Sequence, residues 1–333
     1  MEITTLDPHS DLALRAAYDI ERRAMLLGRE GLPHWSWQEM SVAFRKPDSG
    51  EDVIQLLGYV DGRPVAYGVG YLPLLDNVTK CWFEVTVDPE AQHRGHGRAL
   101  LERLTDELVA RGRTELLAES KLAFDEVQTH RYRRFAEAAG YTLSNVEIVR
   151  HLQLPVDGAQ LAAWSAQAAE RHDGYRIETF VGDIPDAYLP SLCLLYGQLV
   201  VDAPTGEADW DEEVITPERF LESRASLSAA GRRMYETLAI APDDSVAAQT
   251  TVSVPPDGRT DVSQWGTFVH RDHRGRRLGL AVKAANLLAA QEAHPAMKRV
   301  VTQNAETNDW MVAINEQMGF EPVEASVEFI KRV

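Results

Sequence analysis

Cysteine is nearly absent: Cys81 and Cys193 are the only two in 333 residues. Two thiols cannot build a disulfide framework, and the count fits a reducing cytoplasm. Positive charge is also scarce, with 34 Lys and Arg against 51 Asp and Glu and a net charge of −17. An acidic chain repels a phosphate backbone, so no nucleic-acid partner is expected. No apolar run approaches the ~20 residues that cross a bilayer, and the acidic N-terminus does not read as a signal, so no membrane partner is expected either. His93, His96, His270 and His273 lack the spacing of metal ligands, and no metal is expected. What remains is an ordinary globular mix, 44% hydrophobic, whose length suggests two domains at roughly 100–200 residues each.

A weak internal duplication sharpens that estimate. Val87-Asp88-Pro89-Glu90-Ala91-Gln92-His93-Arg94-Gly95-His96-Gly97 can be laid over Val269-His270-Arg271-Asp272-His273-Arg274-Gly275-Arg276-Arg277-Leu278-Gly279, 182 positions later. Each copy follows an apolar β-prone run and precedes a helical pattern. A Gly-aromatic pair closes each unit, Gly140-Tyr141 and Gly319-Phe320. A period this long is a duplicated domain rather than a solenoid repeat. The expected division is a first domain over 1–154, a linker over 155–174 with an Ala-rich helix over 160–170, and a second domain over 175–333.

In the first domain the pattern predicts a short strand at 3–6 and helices at 12–27 and 36–44. A hairpin follows, 53–60 with 65–71, turned by Asp61-Gly62. A strand at 82–87 leads into a helix at 97–110, whose Leu100, Leu101, Leu104 and Leu108 share one face. A strand at 116–118, a helix at 131–139 and a strand at 142–154 complete it. The second domain repeats the order: strand 175–180, helices 184–200 and 217–228, strands 235–240, 246–254 and 264–269, helix 278–294, strand 299–303, helix 310–318 and strand 325–330. Residues 255–258 read as a turn or loop. The fold class is α/β (α+β): two tandem units, each a mixed, mostly antiparallel sheet flanked by helices.

Gln92-x-x-Gly95-x-Gly97 ends a strand and opens a helix. Such a turn exposes backbone N–H groups, the glycines allow close approach, and the helix dipole favours an anion such as a pyrophosphate. It is not a Walker A loop, because no Gly-Lys-Ser/Thr follows, and it lacks the third glycine of a dinucleotide fingerprint.

With Val85-Thr86-Val87 before it and a leucine-faced helix after it, this block resembles the GNAT superfamily of acyl-CoA-dependent acyltransferases. The resemblance covers nearly the whole chain as two tandem units. It implies that Gln92, His93, Arg94, Gly95, His96, Gly97 and Arg98 hold the pyrophosphate of acetyl-CoA, and that the main chain of Val85, Thr86 and Val87 pairs with the pantetheine arm. The second copy departs from the pattern, with Arg277 where Gly95 stands. Its cofactor candidates by resemblance are Val269, Arg274, Gly275, Arg277, Gly279, Asn304 and Asn308; Asn304 and Asn308 read equally as turn or capping residues, Asn308 before helix 310–318.

The reaction that the resemblance implies is direct attack of a small-molecule primary amine on the thioester. It needs a base for the ammonium proton, a donor for the oxyanion and an acid for the thiolate. Glu84, three residues before Val87, stands where many members carry the catalytic carboxylate; the plainer reading is a solvated strand side chain. Gly266 occupies its place in the second copy. Members commonly place a Tyr acid four residues before the Gly-aromatic pair, where this chain has Ala136 and Asn315; Tyr132 is one turn away. His34, Trp35 and Trp37 are candidates for lining an acceptor pocket, or for core packing. Asp202, Glu207, Asp209, Asp211, Glu212 and Glu213 form either a solvated acidic loop or a funnel for a cationic amine. A non-catalytic acyl-CoA-binding module is the alternative from another class.

Overall fold

The computed structural model describes residues 1–29, 34–46, 48–256 and 258–333, so Asp257 of the expected 255–258 loop lies outside the described residues. The first part of the chain runs β1 (Glu2–Thr5), α1 (Asp11–Met25), α2 (Trp37–Arg45), β2 (Glu51–Val60), β3 (Arg63–Pro73), β4 (Lys80–Val87), α3 (His96–Ala110), β5 (Glu115–Leu122), α4 (Arg131–Ala138) and β6 (Thr142–Gln153). It continues with α5 (Gly158–Ala169), β7 (Arg176–Val181), α6 (Leu189–Asp202), α7 (Pro217–Ala229), β8 (Arg233–Ile240) and β9 (Val246–Val254). Then come β10 (Asp261–Val269), α8 (Leu278–Ala293), β11 (Arg299–Ala305), α9 (Asp309–Gln317) and β12 (Glu321–Arg332). None of the described helices is long and apolar enough to cross a membrane.

These elements form two compact units whose bounds differ from the expected halves. Unit 1 comprises Met1–Val146, Gly206–Asp209 and Ser326–Val333; unit 2 comprises Glu147–Thr205 and Trp210–Ala325. In unit 1 the strands lie in the order β1-β2-β3-β4-β5, followed by the last part of β12. In unit 2 the order is β7-β8-β9-β10-β11-β6. Residues 147–153 of β6 pair antiparallel with β11, from Glu147 opposite Ala305 to Gln153 opposite Arg299. The division at 154 is corrected accordingly: most of β6 completes unit 2, and the chain end completes unit 1. Both strands follow a Gly-aromatic turn, so local pattern does not say which unit each one closes. The expected linker is corrected too. Its helix, α5, buries Leu161, Trp164 and Ala168 against Leu280, Ala284 and Leu287 in the core of unit 2.

Local chemistry accounts for the elements around the site in unit 1. Ser36 and Glu39 form a capping box that starts α2, with Ser36 N–H donating to Glu39 Oε2 at 2.6 Å. The β2–β3 hairpin turns at Asp61 and Gly62, both in the left-handed region at φ 51° and 76°. Two-residue turns of this hand match the strand twist.

The two faces of β3 divide sharply. A Cβ on Gly68 would sit 3.3 Å from Leu100 and one on Gly70 3.0 Å from Leu108, so the missing side chains let α3 seat its leucines on the sheet. Tyr67 and Val69, on the opposite face, pack with Leu14, Ala17 and Tyr18 of α1 and with Met40 and Phe44 of α2. Position in β3 therefore fixes which side of the sheet each helix covers, and where the site opens.

Candidate active site

β4 and β5 pair in parallel only from Lys80 opposite Glu115 to Trp82 opposite Leu117. Pairing then stops and the strands part. Residues 83–87 keep their antiparallel bonds to β3 on one side, and the edge toward β5 is left without a ladder partner. Backbone groups on such an edge can bond an extended ligand as another strand would.

The turn at the end of this edge is built to offer N–H groups. Asp88 caps a short 3₁₀ turn at 89–91 by accepting from Glu90 N–H at 3.1 Å, and its buried carboxylate meets Arg23 at 2.7 Å. The Gln92 side-chain amide donates to the Val87 carbonyl at 3.0 Å. His93 and Gly95 both take positive φ, 61° and 83°. Gly95 is the N-cap of α3; it offers no side chain to the first-turn amides, and no acidic residue lies in that turn. Those amides and the dipole are left for an anion. A Cβ on Gly95 would meet nothing within 4 Å, so the approach is open, whereas Gly97 lies against Val87 and Phe135. His93, Arg94 and Arg98 are exposed around the turn.

Glu84 lies opposite Val69, between the pairs Trp82–Tyr71 and Thr86–Tyr67. Cross-strand partners share a face, so Glu84 joins Tyr67 and Tyr71 on the side covered by α1 and α2. Its side chain reaches solvent, yet surrounding protein desolvates the carboxyl enough to raise its pKa; Glu119 adds to the rise and Lys121 opposes it. Glu21, on α1, is also pushed up, by burial first and by Glu84 second. The sequence reading missed Glu21, Glu119 and Lys121. A signal for Glu21 was present: it continues the buried stripe of Leu14, Ala17 and Tyr18 at helical spacing, where a carboxylate is out of place.

Other expected lining residues divide. Trp37 packs edge-on against Tyr18 at 5.8 Å with Arg15 stacked over it, in the core rather than in a pocket. Trp35 is exposed, and His34 Nε2 accepts from Arg22 at 3.3 Å. The two tryptophans thus form no sandwich. Tyr132 is half-buried, its ring 4.5 Å from that of His130. Cys81 is fully buried with its thiol pushed up to about 12 by desolvation, an inert packed residue.

Unit 2 repeats the geometry with different side chains. β10 and β11 pair only from Asp261 opposite Arg299 to Ser263 opposite Val301 and then part. Arg274 Nε donates to the Val269 carbonyl at 3.3 Å, as Gln92 does to Val87. Gly275 and Arg277 take positive φ, 78° and 57°, at the positions of His93 and Gly95. The backbone course is kept although Gly and non-Gly have changed places. The side chains are committed elsewhere: Arg277 bonds the Gln167 carbonyl of α5 and the side chain of Glu170, its C-cap, and Arg274 meets Asp202 at 2.7 Å.

Gly266, at the place of Glu84, sits at an irregularity in the β9–β10 register, and a Cβ there would lie 3.1 Å from Leu199. Asn304 is buried, accepting from Arg150 at 3.2 Å and from Asn315 at 2.9 Å, and Asn308 caps α9 by accepting from Met311 N–H. The expected acidic loop is corrected in part: Asp202 is held between Arg271 and Arg274, and Gly206–Asp209 belongs to unit 1, where Glu207 N–H bonds Ser144.

Comparisons with known proteins agree with this geometry. The acetyltransferase (GNAT) family matches residues 14–137. The [ribosomal protein bS18]-alanine N-acetyltransferase of Escherichia coli K12 is 36% identical over 99 residues, which is 30% of this chain and 57% of that protein. Its namesake from Salmonella typhimurium is 34% identical over 110 residues, 33% of this chain and 65% of that protein. The chain thus spans less than two thirds of the length of either relative. Among solved structures, a tandem GNAT protein from the clavulanic acid biosynthesis pathway superposes with a TM-score of 0.78 at 23% identity, covering 99% of this chain and 98% of that one. A GCN5-related N-acetyltransferase from Sphaerobacter thermophilus gives 0.65 at 15% identity, covering 99% and 95%. At those identities the likeness is one of fold. Residues 14–137 thus match the acetyltransferase (GNAT) family, and the chain as a whole has the fold of the tandem GNAT protein.

Proposed function

We propose that this chain is an acetyl-CoA-dependent N-acetyltransferase in which unit 1 carries the chemistry, moving the acetyl group directly to a primary amine of a small molecule. The observation that carries this reading is the β4 edge, unpaired from residue 83 onward, which runs straight into a turn of free N–H groups at the start of α3. In that reading Gln92 to Arg98 hold the pyrophosphate and Val85 to Val87 hold the pantetheine amides. Glu84 takes the proton of the acceptor ammonium, the freed amine attacks the thioester carbonyl, and a main-chain amide near Val87 stabilises the oxyanion. Collapse expels the CoA thiolate as the nitrogen gives up its second proton, which reaches the sulfur through water, since Ala136 stands where a tyrosine acid would be.

Unit 2 supports rather than catalyses in this reading. Leu199 fills the space beside Gly266, and Arg274 and Arg277 are neutralised by Asp202 and Glu170. The alternative is a non-catalytic acyl-CoA-binding module, favoured by the missing tyrosine in both units. The deciding experiment measures acetyl-CoA binding by calorimetry and thiol release with a panel of small primary amines and an alanine-terminal peptide. Release with small amines supports the proposal. Release with the peptide alone replaces the acceptor class, and binding with no release on any acceptor favours the module.

A further inference from the structure

The face of unit 1 beside the β4–β5 opening carries more acid than one base requires. Glu84 projects from β4, Glu119 from β5 two residues past the last paired position, and Glu21 from α1 packed above them. Lys121 lies 3.4 Å from Glu119, Arg23 is committed to Asp88, and Arg15 to Asp19. On the same sheet face as Glu84 lies Tyr67, 1% exposed, whose hydroxyl has no hydrogen-bond partner among the described residues. Tyr67 feels the charges of both Glu21 and Glu84, and so does Tyr71, which also feels Glu51 of β2. A buried donor left open beside two interacting carboxyls is completed by a ligand or by water. Glu21, Glu84 and Tyr67 therefore form one polar group under the α1 layer.

We propose that Glu21 is a positioning residue for the acceptor: with Glu84 it forms a carboxyl pair that admits the amine as its ammonium ion. This rests on the reading of unit 1 as an acetyltransferase. Two like charges on neighbouring carboxyls cannot both be held cheaply in desolvated surroundings, so the pair retains one proton where a lone surface carboxylate would have none. The incoming ammonium brings the positive charge that lets both ionise. Its proton then passes to Glu84, leaving a neutral amine whose lone pair forms the new C–N bond as the C–S bond breaks. The acceptor class is thus a primary amine that is charged in solution, and neutral weakly basic amines such as anilines are disfavoured.

The test separates the pair from the activity. In protein labelled with carboxyl-¹³C glutamate, NMR titration of wild type should show two carboxyls titrating above the ordinary range. Glu84→Gln should move the Glu21 titration downward. If that variant leaves the Glu21 titration unchanged, the pair does not exist and the proposal is overturned. If the pair titrates together but no amine of the panel is acetylated, the acetyltransferase reading fails while the pair stands. Where an amine is turned over, Glu21→Gln should shift the acidic limb of kcat/KM to lower pH, lower its plateau and leave acetyl-CoA affinity unchanged, with Glu21→Asp restoring part of the limb. A uniform loss at every pH, with an unmoved limb, would assign Glu21 a structural role only.

Discussion

The Gln92 side-chain amide donates to the main-chain carbonyl of Val87 at 3.0 Å, and Arg274 repeats this bond to Val269 in unit 2. The donor closes the turn that sets the α3 N-terminus at the end of the β4 edge. In the proposed reading Gln92 acts on the cofactor through the loop conformation, and the chemistry required of position 92 is a long side chain with an N–H to give. Gln92→Ala should weaken acetyl-CoA binding about 5-fold, the equivalent of one neutral hydrogen bond of ~1 kcal/mol. Gln92→Arg should bind near the wild-type level, because arginine already makes this bond in the second copy. Calorimetric titration of both variants checks the pair; equal losses would mean that the glutamine side chain touches the ligand itself.

Glu84 should impose its own titration on the rate. Burial raises its pKa above the usual carboxylate range, Glu119 adds to the rise and Lys121 opposes it. The acidic limb of kcat/KM should lie correspondingly high, and Lys121→Ala should move it higher still. Glu84→Gln should lower kcat/KM by roughly 100-fold or more and abolish the limb. Stability should change in the opposite sense. A carboxyl whose folded pKa exceeds its unfolded value favours the fold while protonated, and that stability is lost as pH rises through the folded pKa. Glu84→Gln should therefore melt higher than wild type at pH 8, with the difference shrinking toward acid. Melting curves across that range, beside the rate profile, separate a base from a surface carboxylate.

The conformation of the turn before α3 was legible in the sequence because its requirements are local: a left-handed N-cap at Gly95, close packing at Gly97 and a leucine face on α3 all fall within one window. The Asp61-Gly62 hairpin and the Asn308 cap were legible for the same reason. Glu21, Glu119 and Lys121 were not, because they reach Glu84 from separate elements, and only the register of β4 on β5 and the packing of α1 bring them together. The assignment of β6 and β12 failed on another ground. Two strands with the same turn before them carry no local mark of the unit they close. Arg277 departs from the sequence pattern at the place of Gly95, yet the backbone there keeps the left-handed course at φ 57°.

Unit 2 holds a buried ion pair on the face where unit 1 has its acidic site. Glu236 of β8, 1% exposed, pairs with Arg224 and accepts from Tyr196 at 2.9 Å and from Thr251 at 2.6 Å. Removing one partner leaves an uncompensated charge, so Arg224→Met or Glu236→Leu should each cost about 3–5 kcal/mol. The double variant should lose far less than the sum, because no lone charge remains buried. Urea denaturation of the two single variants and the double closes the cycle. Additive losses would show that the two charges are solvated independently.

Lys283 lies wholly within unit 2, 1% exposed, donating to Asn315 at 3.0 Å and resting 4.9 Å above the Phe320 ring. Asn315 in turn donates to Asn304, so the residue at the tyrosine-acid position is committed to a structural chain. Burial pushes the Lys283 pKa down to about 7. Between there and the unfolded value of ~10.4 the unfolded chain binds more protons than the native one, so stability should rise with pH, by at most about 1.4 kcal/mol per unit. Below pH 7 the native amine is charged as well, and this contribution becomes flat. Lys283→Met removes the titration. The difference between the urea midpoints of wild type and variant should therefore move in favour of wild type from pH 7 to 9, and hold steady from pH 5 to 6.5. Parallel curves across the whole range would mean that Lys283 stays charged in the fold, with Asn315 and the Phe320 ring sufficient to hold the ammonium.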